Sequence, residues 1–488
     1  MRAVLIKIKD IPDFYVRDIE ITCKVNEHSR IKLTGMIKQA NCESIINYCM
    51  STNQLKVYIE DESVEQVIFI GTVYNVEIVH KGYEDVLILE LISETINLDM
   101  EQKKRTFQKE DRIVLNLMES ISRESGAFIH TEVGNEKVGT FLAQYNETDW
   151  EFLKRTASLI GEVLLPIVNL EGIRYQMGLK SNELKELSNV LEYSIENVLS
   201  EMRNKNSKGL DLVENEAKQF RITTRDILYL GDRINFQNNE LFVYEVIGKM
   251  VDEELTFTYS CRSKSFFKVP YTPNEKIIGA SLEGEVASVS GTMIRVTLDC
   301  DNNNLIRGSK EFPFATVASS KDGSGWYCMP EEEDRVRLYF PSEREKDAYV
   351  ISAVHLDVVN TGITSEYVQN NPILSQLPEA RTNPEYKSIK NKYNKELIFA
   401  PTCIIITNNE DMMIALDDTE GIIIDTLKPL NIHSNEKIVM TSEDSIVIEA
   451  THQILLEQGE AGVEKNMIDM NLGITTIKGK EVRLQERK

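Results

Sequence analysis

An apolar residue recurs at every eighth position in the C-terminal part of this 488-residue chain, and this repeat limits its fold more than any other feature. The first series comprises Ile406, Ile414, Ile422, Leu430, Ile438, Ile446 and Ile454. A second series, two positions further along, comprises Leu416, Ile424, Ile432, Met440, Ile448 and Leu456. We call the two series the octad ladders and residues 406–456 the octad tract. The pattern slips after residue 459 and resumes with Ile474 and Val482.

The eight-residue period excludes a helix and indicates β-structure. Eight residues of an α-helix advance about 800°, which moves each ladder residue about 80° away from the starting face. In a β-strand, by contrast, residues i and i+2 lie on the same face. Each octad therefore predicts a short strand with two apolar residues on one face, followed by residues that turn the chain.

Three architectures accommodate the repeat. The first is an antiparallel meander of short strands, although hairpin turns rarely keep one spacing over so many units. The second is a single-chain solenoid with about three octads per turn. The third is an intertwined homotrimer, in which three chains direct their ladders at a common axis. We favour the trimer, because a single chain would expose both ladders as a larger apolar patch than soluble proteins usually tolerate.

Charge and cysteine usage narrow the functional classes. The chain carries 55 Lys and Arg against 78 Asp and Glu, a net charge of −23. Nucleic acid and anionic lipid require clustered positive charge, so we expect neither as a partner. Seven cysteines without a CxxC pair indicate buried free thiols in a reducing compartment. Without an apolar signal core or a membrane-length apolar run, we expect synthesis in the cytoplasm with no signal peptide.

The patterns along the chain predict a mainly β protein with some helix. In residues 1–270, alternation indicates strands at 19–25, 54–59 and 86–91, and a helical period indicates a helix near 112–125. A candidate cap at Asn146 or Thr148, followed first by acidic and then by basic residues, indicates a second helix near 147–160. Residues 279–355 contain about five short β-runs, the size of a small closed barrel. Residues 356–385 lose periodicity and carry three prolines, as a linker does, and residues 386–488 contain the octad tract.

The sequence offers no recognisable catalytic or metal-binding motif. None of the six histidines forms a pair at metal-ligand spacing, and GxSxG, P-loop and GxGxxG motifs are absent. His452 precedes Ile454 by two residues and would suit an axial ion in a trimer, but a solvated imidazole is the simpler interpretation. The acidic run comprises Glu331, Glu332, Glu333 and Asp334, and we interpret it as a hydrated loop rather than a cation site. We predict no catalytic residue, no cofactor and no metal.

Two stretches resemble a known family. Residues 144–155 read QYNETDWEFLKR and resemble the hub-domain helix of the spike proteins of contractile injection systems, the VgrG and phage tail-spike family. Residues 319–330 and 334–341 read SSKDGSGWYCMP and DRVRLYFP and resemble the oligonucleotide/oligosaccharide-binding (OB) barrel of that family. The positions that carry the resemblance are Asp149, Trp150, Phe152, Leu153, Trp326, Pro330, Val336, Phe340 and Pro341. For Trp326 we predict a place in a core or an interface rather than stacking on a base.

The resemblance implies a fold and a role. The fold is a phage-hub-like region of β-barrel and α+β domains at 1–270, an OB-fold barrel at 279–355, a linker at 356–385 and an intertwined trimeric β-helix needle at 386–488. The role is a homotrimeric spike of a phage-tail-like particle or type VI secretion-like system. Its partners are tail tube and baseplate proteins, a separate tip protein or effector at the C-terminal end and, transiently, the target envelope that it punctures.

An enzyme is not expected. About thirty linker residues are too few for a catalytic domain between barrel and needle. A tail-associated cell-wall hydrolase and a trimeric receptor-binding fibre are the alternatives.

Overall fold

The structure is a computed structural model, and two compact units, residues 1–358 and 359–488, make up the chain. It describes residues 5–11, 13–38, 42–52, 54–61, 64–181, 183–252, 254–301, 308–321, 326–352, 365–378, 383–459, 466–471 and 474–479. The prediction of a mainly β protein with some helix is confirmed. Within these ranges, no helix has the length and apolar character needed to cross a membrane.

The first unit begins with six antiparallel strands and a helix. These are β1 (Leu5–Lys7), β2 (Tyr15–Lys24), β3 (Arg30–Ile37), α1 (Cys42–Ser51), β4 (Leu55–Asp61), β5 (Val64–Lys81) and β6 (Glu84–Ser93). The strands are hydrogen-bonded in the order β1-β4-β5-β6-β3-β2, and β1 also contacts β2, so the sheet curls toward a barrel. Alternate residues such as Leu33 and Leu89 are fully buried, as the apolar alternation predicts.

The next part of the first unit contains two packed helices. Its elements are β7 (Gln102–Phe107), α2 (Val114–Glu124), β8 (Phe128–Thr131), β9 (Leu142–Thr148), α3 (Asp149–Ser158), β10 (Leu164–Pro166) and β11 (Arg174–Met177). Strand β7 pairs with β9, and β10, β11 and β8 form a small sheet. A capping box starts α3, because the Thr148 hydroxyl accepts from the Glu151 N–H at 3.1 Å while the Glu151 carboxylate accepts from the Thr148 N–H at 3.0 Å.

The first sheet then continues across the unit. The added elements are β12 (Val190–Asn197), α4 (Leu199–Ser207), β13 (Lys218–Thr224), β14 (Arg233–Phe236), β15 (Asn239–Val251) and β16 (Glu254–Arg262). Strand β15 pairs with β2, so both groups of strands form one eleven-stranded sheet that ends at β12. A single apolar core joins the two groups. We call residues 1–270 the hub region.

A small five-stranded sheet closes the first unit. Its strands are β17 (Ser281–Ser290), β18 (Met293–Leu298), β19 (Glu311–Pro313), β20 (Arg335–Tyr339) and β21 (Tyr349–Ile351). They pair in the order β19-β18-β17-β20-β21, and an isolated bridge between Phe314 and Val350 joins the two ends. The sheet therefore closes on itself around its own core, and we call it the barrel.

In its described residues, the second unit contains a short helix and eight strands. They are α5 (Glu366–Asn370), β22 (Lys387–Lys390), β23 (Glu396–Phe399), β24 (Cys403–Thr407), β25 (Met412–Asp417), β26 (Gly421–Thr426), β27 (Gln453–Gln458), β28 (Asn466–Asn471) and β29 (Ile474–Lys478). Strands β22 to β26 form one antiparallel sheet, the base sheet, and β27 to β29 form another, the tip sheet. Each strand pairs with its neighbour in sequence, so both sheets are meanders within one chain.

Between the two sheets lies a stretch with no strand, residues 428–452, which we call the middle segment. The chain bends at residues 427–428, 435–436, 443–444 and 451–452, so the bends recur every eight residues. The octad repeat is therefore present in the backbone as well as in the side chains.

Candidate assembly surface

The base sheet is apolar on both faces, and the chain itself covers one of them. Residues 365–378, the cover segment, lie over this face and bury Ile405, Ala415 and Leu374 in one small core. Tyr367 fixes the segment by donating from Oη to Asp425 Oδ2 at 3.0 Å, and burial together with Asp425 raises the pKa of Tyr367 to about 12. Part of the stretch predicted as a linker is thus packed against the sheet.

The opposite face of the base sheet carries the octad ladders. Strand register places the side chains of two rows directly opposite each other, where neighbours interact. The rows are Leu397, Ile406, Ile414 and Ile424, and Phe399, Ile404, Leu416 and Ile422. Apart from the half-buried Leu397, every member is exposed, and Ile422 reaches 76%. An open apolar groove of ≈ 560 Å³ runs along this face and ends at Leu430.

The backbone of the middle segment forms no β-ladder with any other described part of this chain. Within the described residues, no backbone-to-backbone hydrogen bond involves residues 428–452. At three of the bends, a side-chain hydroxyl accepts a hydrogen bond from a backbone N–H two residues later. These pairs are Thr426 Oγ1 with Lys428, Ser434 Oγ with Glu436 and Ser442 Oγ with Asp444. The exposed ladder residues of the segment are Leu430, Ile432, Ile438, Met440, Ile446 and Ile448.

The tip sheet repeats the arrangement of the base sheet on one face. Ile454 lies opposite Met470, and Leu456 lies opposite Ile468, which pairs in turn with Ile477. Ile454 is half-buried, whereas Leu456 is exposed. Ile474 is also exposed, and Val482 lies outside the described residues. The ladders therefore form an exposed apolar face in the base sheet, the middle segment and the tip sheet.

The polar groups considered as ion ligands are not clustered. Among the described residues, no group of three His, Cys, Asp or Glu side chains is placed to hold a metal ion. His452 is exposed, and His433 Nε2 lies 3.1 Å from Asn435 Oδ1. Four of the seven free cysteines are buried, but Cys328 is exposed, so the prediction of buried thiols is wrong for that residue.

The hub residues that carry the family resemblance form the start of α3. Trp150, Phe152 and Leu153 are buried between α2, α3 and the surrounding strands. The Trp150 Nε1–H donates to the Asn26 carbonyl at 3.3 Å. The Asp149 carboxylate is buried and accepts from Lys103 Nζ and Arg105 Nη2, both at 2.7 Å. The motif therefore ties α3 to two other parts of the hub region.

The barrel residues of the resemblance divide into buried and exposed positions. Val336 and Phe340 belong to the barrel core, and Pro330 is buried, whereas Pro341 is exposed. Of the two predicted places for Trp326, a core or an interface, the interface stays a prediction, whereas the side chain is 60% exposed and does not occupy the core. The reason is its position on a loop that leaves the barrel, where its backbone N–H bonds Ala318 and its ring does not reach the core.

Sequence reasoning missed part of the ladder face. Counting back eight residues from Ile406 gives Ile398, but Ile398 is buried on the covered face and Leu397 lies opposite Ile406 instead. Strand β23 pairs with β24 so that Leu397 and Ile406, nine residues apart, lie opposite each other, and the eight-residue count therefore does not extend to β23. Reading β23 in the register of its neighbour would have identified Leu397 and Phe399.

Comparison with known proteins identifies the fold. No protein-family model and no curated protein sequence matches the chain. Among solved structures, the Escherichia coli c3393 protein is similar over 72% of this chain and 99% of that chain, with 14% identity and a TM-score of 0.51. It is described as a component of the type VI secretion system with structural similarity to the T4 bacteriophage tail proteins gp27 and gp5.

A second similarity extends over more of the chain. A chain of the half-lidded Francisella PdpA-VgrG complex matches 86% of this chain and 87% of its own length, at 10% identity and a TM-score of 0.54. The lidless complex matches 86% and 97%, at 10% identity and a TM-score of 0.53. The resemblance to VgrG and phage tail-spike proteins is therefore confirmed at the level of the fold.

Proposed function

We propose that this chain is the VgrG-like spike subunit of a contractile injection system or phage-tail-like particle. Three copies assemble; the hub region caps the tail tube, and residues 386–488 form a needle that sheath contraction drives through the target envelope. A separate tip protein or effector rides at the C-terminal end. The shared fold with tail proteins supports this role, and the uncovered octad ladders are the observation that carries it.

Two independent deficits of the single chain support assembly. The first is apolar: the ladders expose isoleucine and leucine in the base sheet, the middle segment and the tip sheet, beyond the patch size usual for a monomer. The second is polar: within the described residues, the backbone N–H and C=O groups of the middle segment have no backbone partner, and they would need one once burial of the adjacent ladders removes water from them. Additional copies correct both deficits at once, because their ladders cover the apolar face and their backbones supply the missing partners.

A closed ring of three copies suits these surfaces better than an open stack. A sheet with a free edge invites further strands to add, whereas rotational closure removes the edges. In the proposed needle, three ladder faces meet on one axis and the polar residues of each octad face solvent. The assembled charge is 3 × (−23) = −69, which keeps the β-rich exterior solvated.

The proposed role is mechanical rather than enzymatic. The hub region, the barrel at 279–355 and the needle act as docking, connecting and piercing parts, and contact with the envelope is transient. The role also accounts for the acidic composition, since none of these parts has to bind nucleic acid.

Native mass spectrometry of the full chain tests the proposal. Three copies of a 55.8 kDa chain give 3 × 55.8 = 167.4 kDa, and this should be the dominant species. A stable monomer or dimer under the same conditions would refute it.

A further inference from the structure

One strand of the hub region contributes to two cores at once. On β9, Leu142 points into the core around Trp150, whereas Ala143 and the preceding Phe141 point into the barrel core. Phe141 packs edge-on against Phe312 of the barrel, with ring centroids 5.2 Å apart. Because successive strand residues alternate between faces, β9 is shared by the hub region and the barrel.

A buried ion cluster lies at the same boundary. Arg155 of α3 is 3% exposed and donates to both carboxylate oxygens of Glu147, from Nε and Nη2, at 2.8 Å each. Its Nη2 also donates to the Ala143 carbonyl at 2.9 Å. Its remaining Nη1 donates at 2.6 Å to Glu345, which is 2% exposed and lies in the connection between β20 and β21 of the barrel. A single guanidinium therefore holds the hub helix, the shared strand and the barrel.

The cluster is fully partnered. Tyr271 donates from Oη to the other Glu345 oxygen at 3.3 Å. Burial alone would lower the pKa of Arg155, but Glu345 and Glu147 together raise it, so the guanidinium keeps its charge. Burial and Glu345 raise the pKa of Tyr271 to about 12, so its hydroxyl keeps its proton.

Further contacts surround the cluster on both sides. Thr106 donates its N–H to the Asp301 carboxylate at 2.5 Å, and Gln108 Nε2 donates to the Val296 carbonyl at 3.1 Å. Asn274 Nδ2 donates to the Tyr145 carbonyl at 3.0 Å. These bonds restrict sliding of the barrel along the hub region. Among the contacts between described residues of the two regions, only the Arg155 cluster is both charged on each side and buried, a geometry that tolerates little displacement.

We infer that Arg155 is the positioning residue of a rigid joint that holds the barrel in one orientation on the hub region, so that an axial load passes through both as one body. Bidentate pairing with Glu147 fixes the plane of the guanidinium, and that plane fixes the direction in which Glu345 is held. The mechanical use of the joint rests on the proposed function, whereas the joint itself does not.

Hydrogen exchange on the full chain tests the joint with three variants. Glu345→Ala removes the barrel contact and leaves Arg155 paired with Glu147, so the hub region keeps its fold. We expect amides at 143–148 and 345–350 to exchange about tenfold faster, while β3, β6 and β18 change less than about twofold. Glu345→Gln keeps an acceptor for Nη1 and should give a smaller acceleration. Arg295→Met, which breaks the exposed ion pair with Glu311 at 2.9 Å within the barrel, is the matched control and should leave the joint amides unchanged.

Two results would overturn the joint. One is unchanged exchange at 143–148 and 345–350 in Glu345→Ala, and the other is equal acceleration throughout the first unit, which indicates a general loss of stability. Native mass of the same samples separates this test from that of the proposed function. If Glu345→Ala is a trimer and its amides at 143–148 and 345–350 exchange at the wild-type rate, only the proposed joint is refuted. If the protein is a monomer and these amides exchange faster in Glu345→Ala, only the proposed trimer is refuted.

Discussion

The sheet of the hub region and the octad tract both carry apolar residues at alternate strand positions, but the hub region buries these residues within one chain, whereas the octad ladders are mostly exposed. Leu33 and Leu89 face a core of the same chain and are fully buried. Ile422 and Ile438 follow an equally regular pattern and remain 76% and 52% exposed. Alternation therefore specifies an apolar face, but not which molecule covers it.

Strand length and connection explain the difference. Strand β5 has 18 residues and pairs with a strand on each side. The sheet curls, so that apolar residues on its inner face pack against one another. An octad leaves only a few residues of strand before the next bend, too little to fold a second layer back over itself. Within the octad tract, short sheets at both ends pair within the chain, while the middle segment between them does not.

The largest effect on assembly is expected when a charged residue replaces an apolar residue of the octad ladders. Ile438→Asp would bury three carboxylates around one axis, each costing several kcal/mol, and should abolish the trimer in native mass spectrometry. Thr441→Asp, three residues later and on the polar part of the same octad, is the control and should stay trimeric. A stable Ile438→Asp trimer would show that the ladder does not face an axis.

Truncations compare the two kinds of core directly. Ile446→Ala removes three side chains per trimer, and at about 2–5 kcal/mol each the loss should lower trimer stability in a concentration-dependent way. Leu89→Ala costs about the same per chain but should not depend on concentration, because its core lies in one chain. Denaturation at two protein concentrations distinguishes the variants. Concentration-independent unfolding of Ile446→Ala would mean that its contacts are within the chain.

The two tryptophans extend the comparison to the first unit. Trp150 is 1% exposed, so Trp150→Ala should cost about 3–5 kcal/mol whether the chain is assembled or not. Trp326 is exposed in the single chain, and its predicted place in an interface stays a prediction. Trp326→Ala should therefore cost under about 0.5 kcal/mol in the Ile438→Asp background and more in the trimer. Equal small effects in both backgrounds would exclude Trp326 from the interface.

The smallest effect on stability is expected at Asp226, whose carboxylate accepts hydrogen bonds within the hub region. Burial alone would raise the pKa of Asp226, but hydrogen bonds from Asn189 and Ser188 lower it to about 2. The folded-state pKa lies below the unfolded value, so the stabilisation is present above about pH 4 and is lost as the pH falls toward 2. After allowance for solvent screening it amounts to about 1 kcal/mol.

Denaturant unfolding between pH 2 and pH 6 measures this contribution. The difference between the native chain and Asp226→Asn should shrink as the pH falls, equally at low and high protein concentration. A constant difference across this range would contradict the assignment.

The sequence predicted those parts whose pattern is long and regular. The octad ladders were identified because seven consecutive units share one period, and the second helix because a candidate cap, Asn146 or Thr148, precedes acidic residues; the structure selects Thr148. The same pattern did not decide between a meander and a trimer. The structure contains a meander at each end of the middle segment, whose backbone forms no hydrogen bond with another described backbone group. A period records local geometry, not the identity of the chain that supplies the next strand.

Other features depend on contacts that are distant in sequence. The cover segment has no periodicity, and only the apolar underside of the base sheet explains why Leu374 is buried there. Arg155 and Glu345 are 190 residues apart, so nothing local marks them as partners. For Trp326 the sequence left a core and an interface open, and only the structure shows that its side chain lies outside the barrel core.

Hydrogen exchange of the middle segment in the wild-type assembly is the most direct test of the central claim, that the octad tract is completed by other copies. The single chain offers the amides at 431–451 almost no protection, since only local hydroxyls contact them. If other copies pair with this segment, these amides should exchange in the trimer as slowly as those of β3 and β6, and they should exchange fast in the Ile438→Asp variant. Fast exchange of these amides in an intact trimer would contradict the central claim.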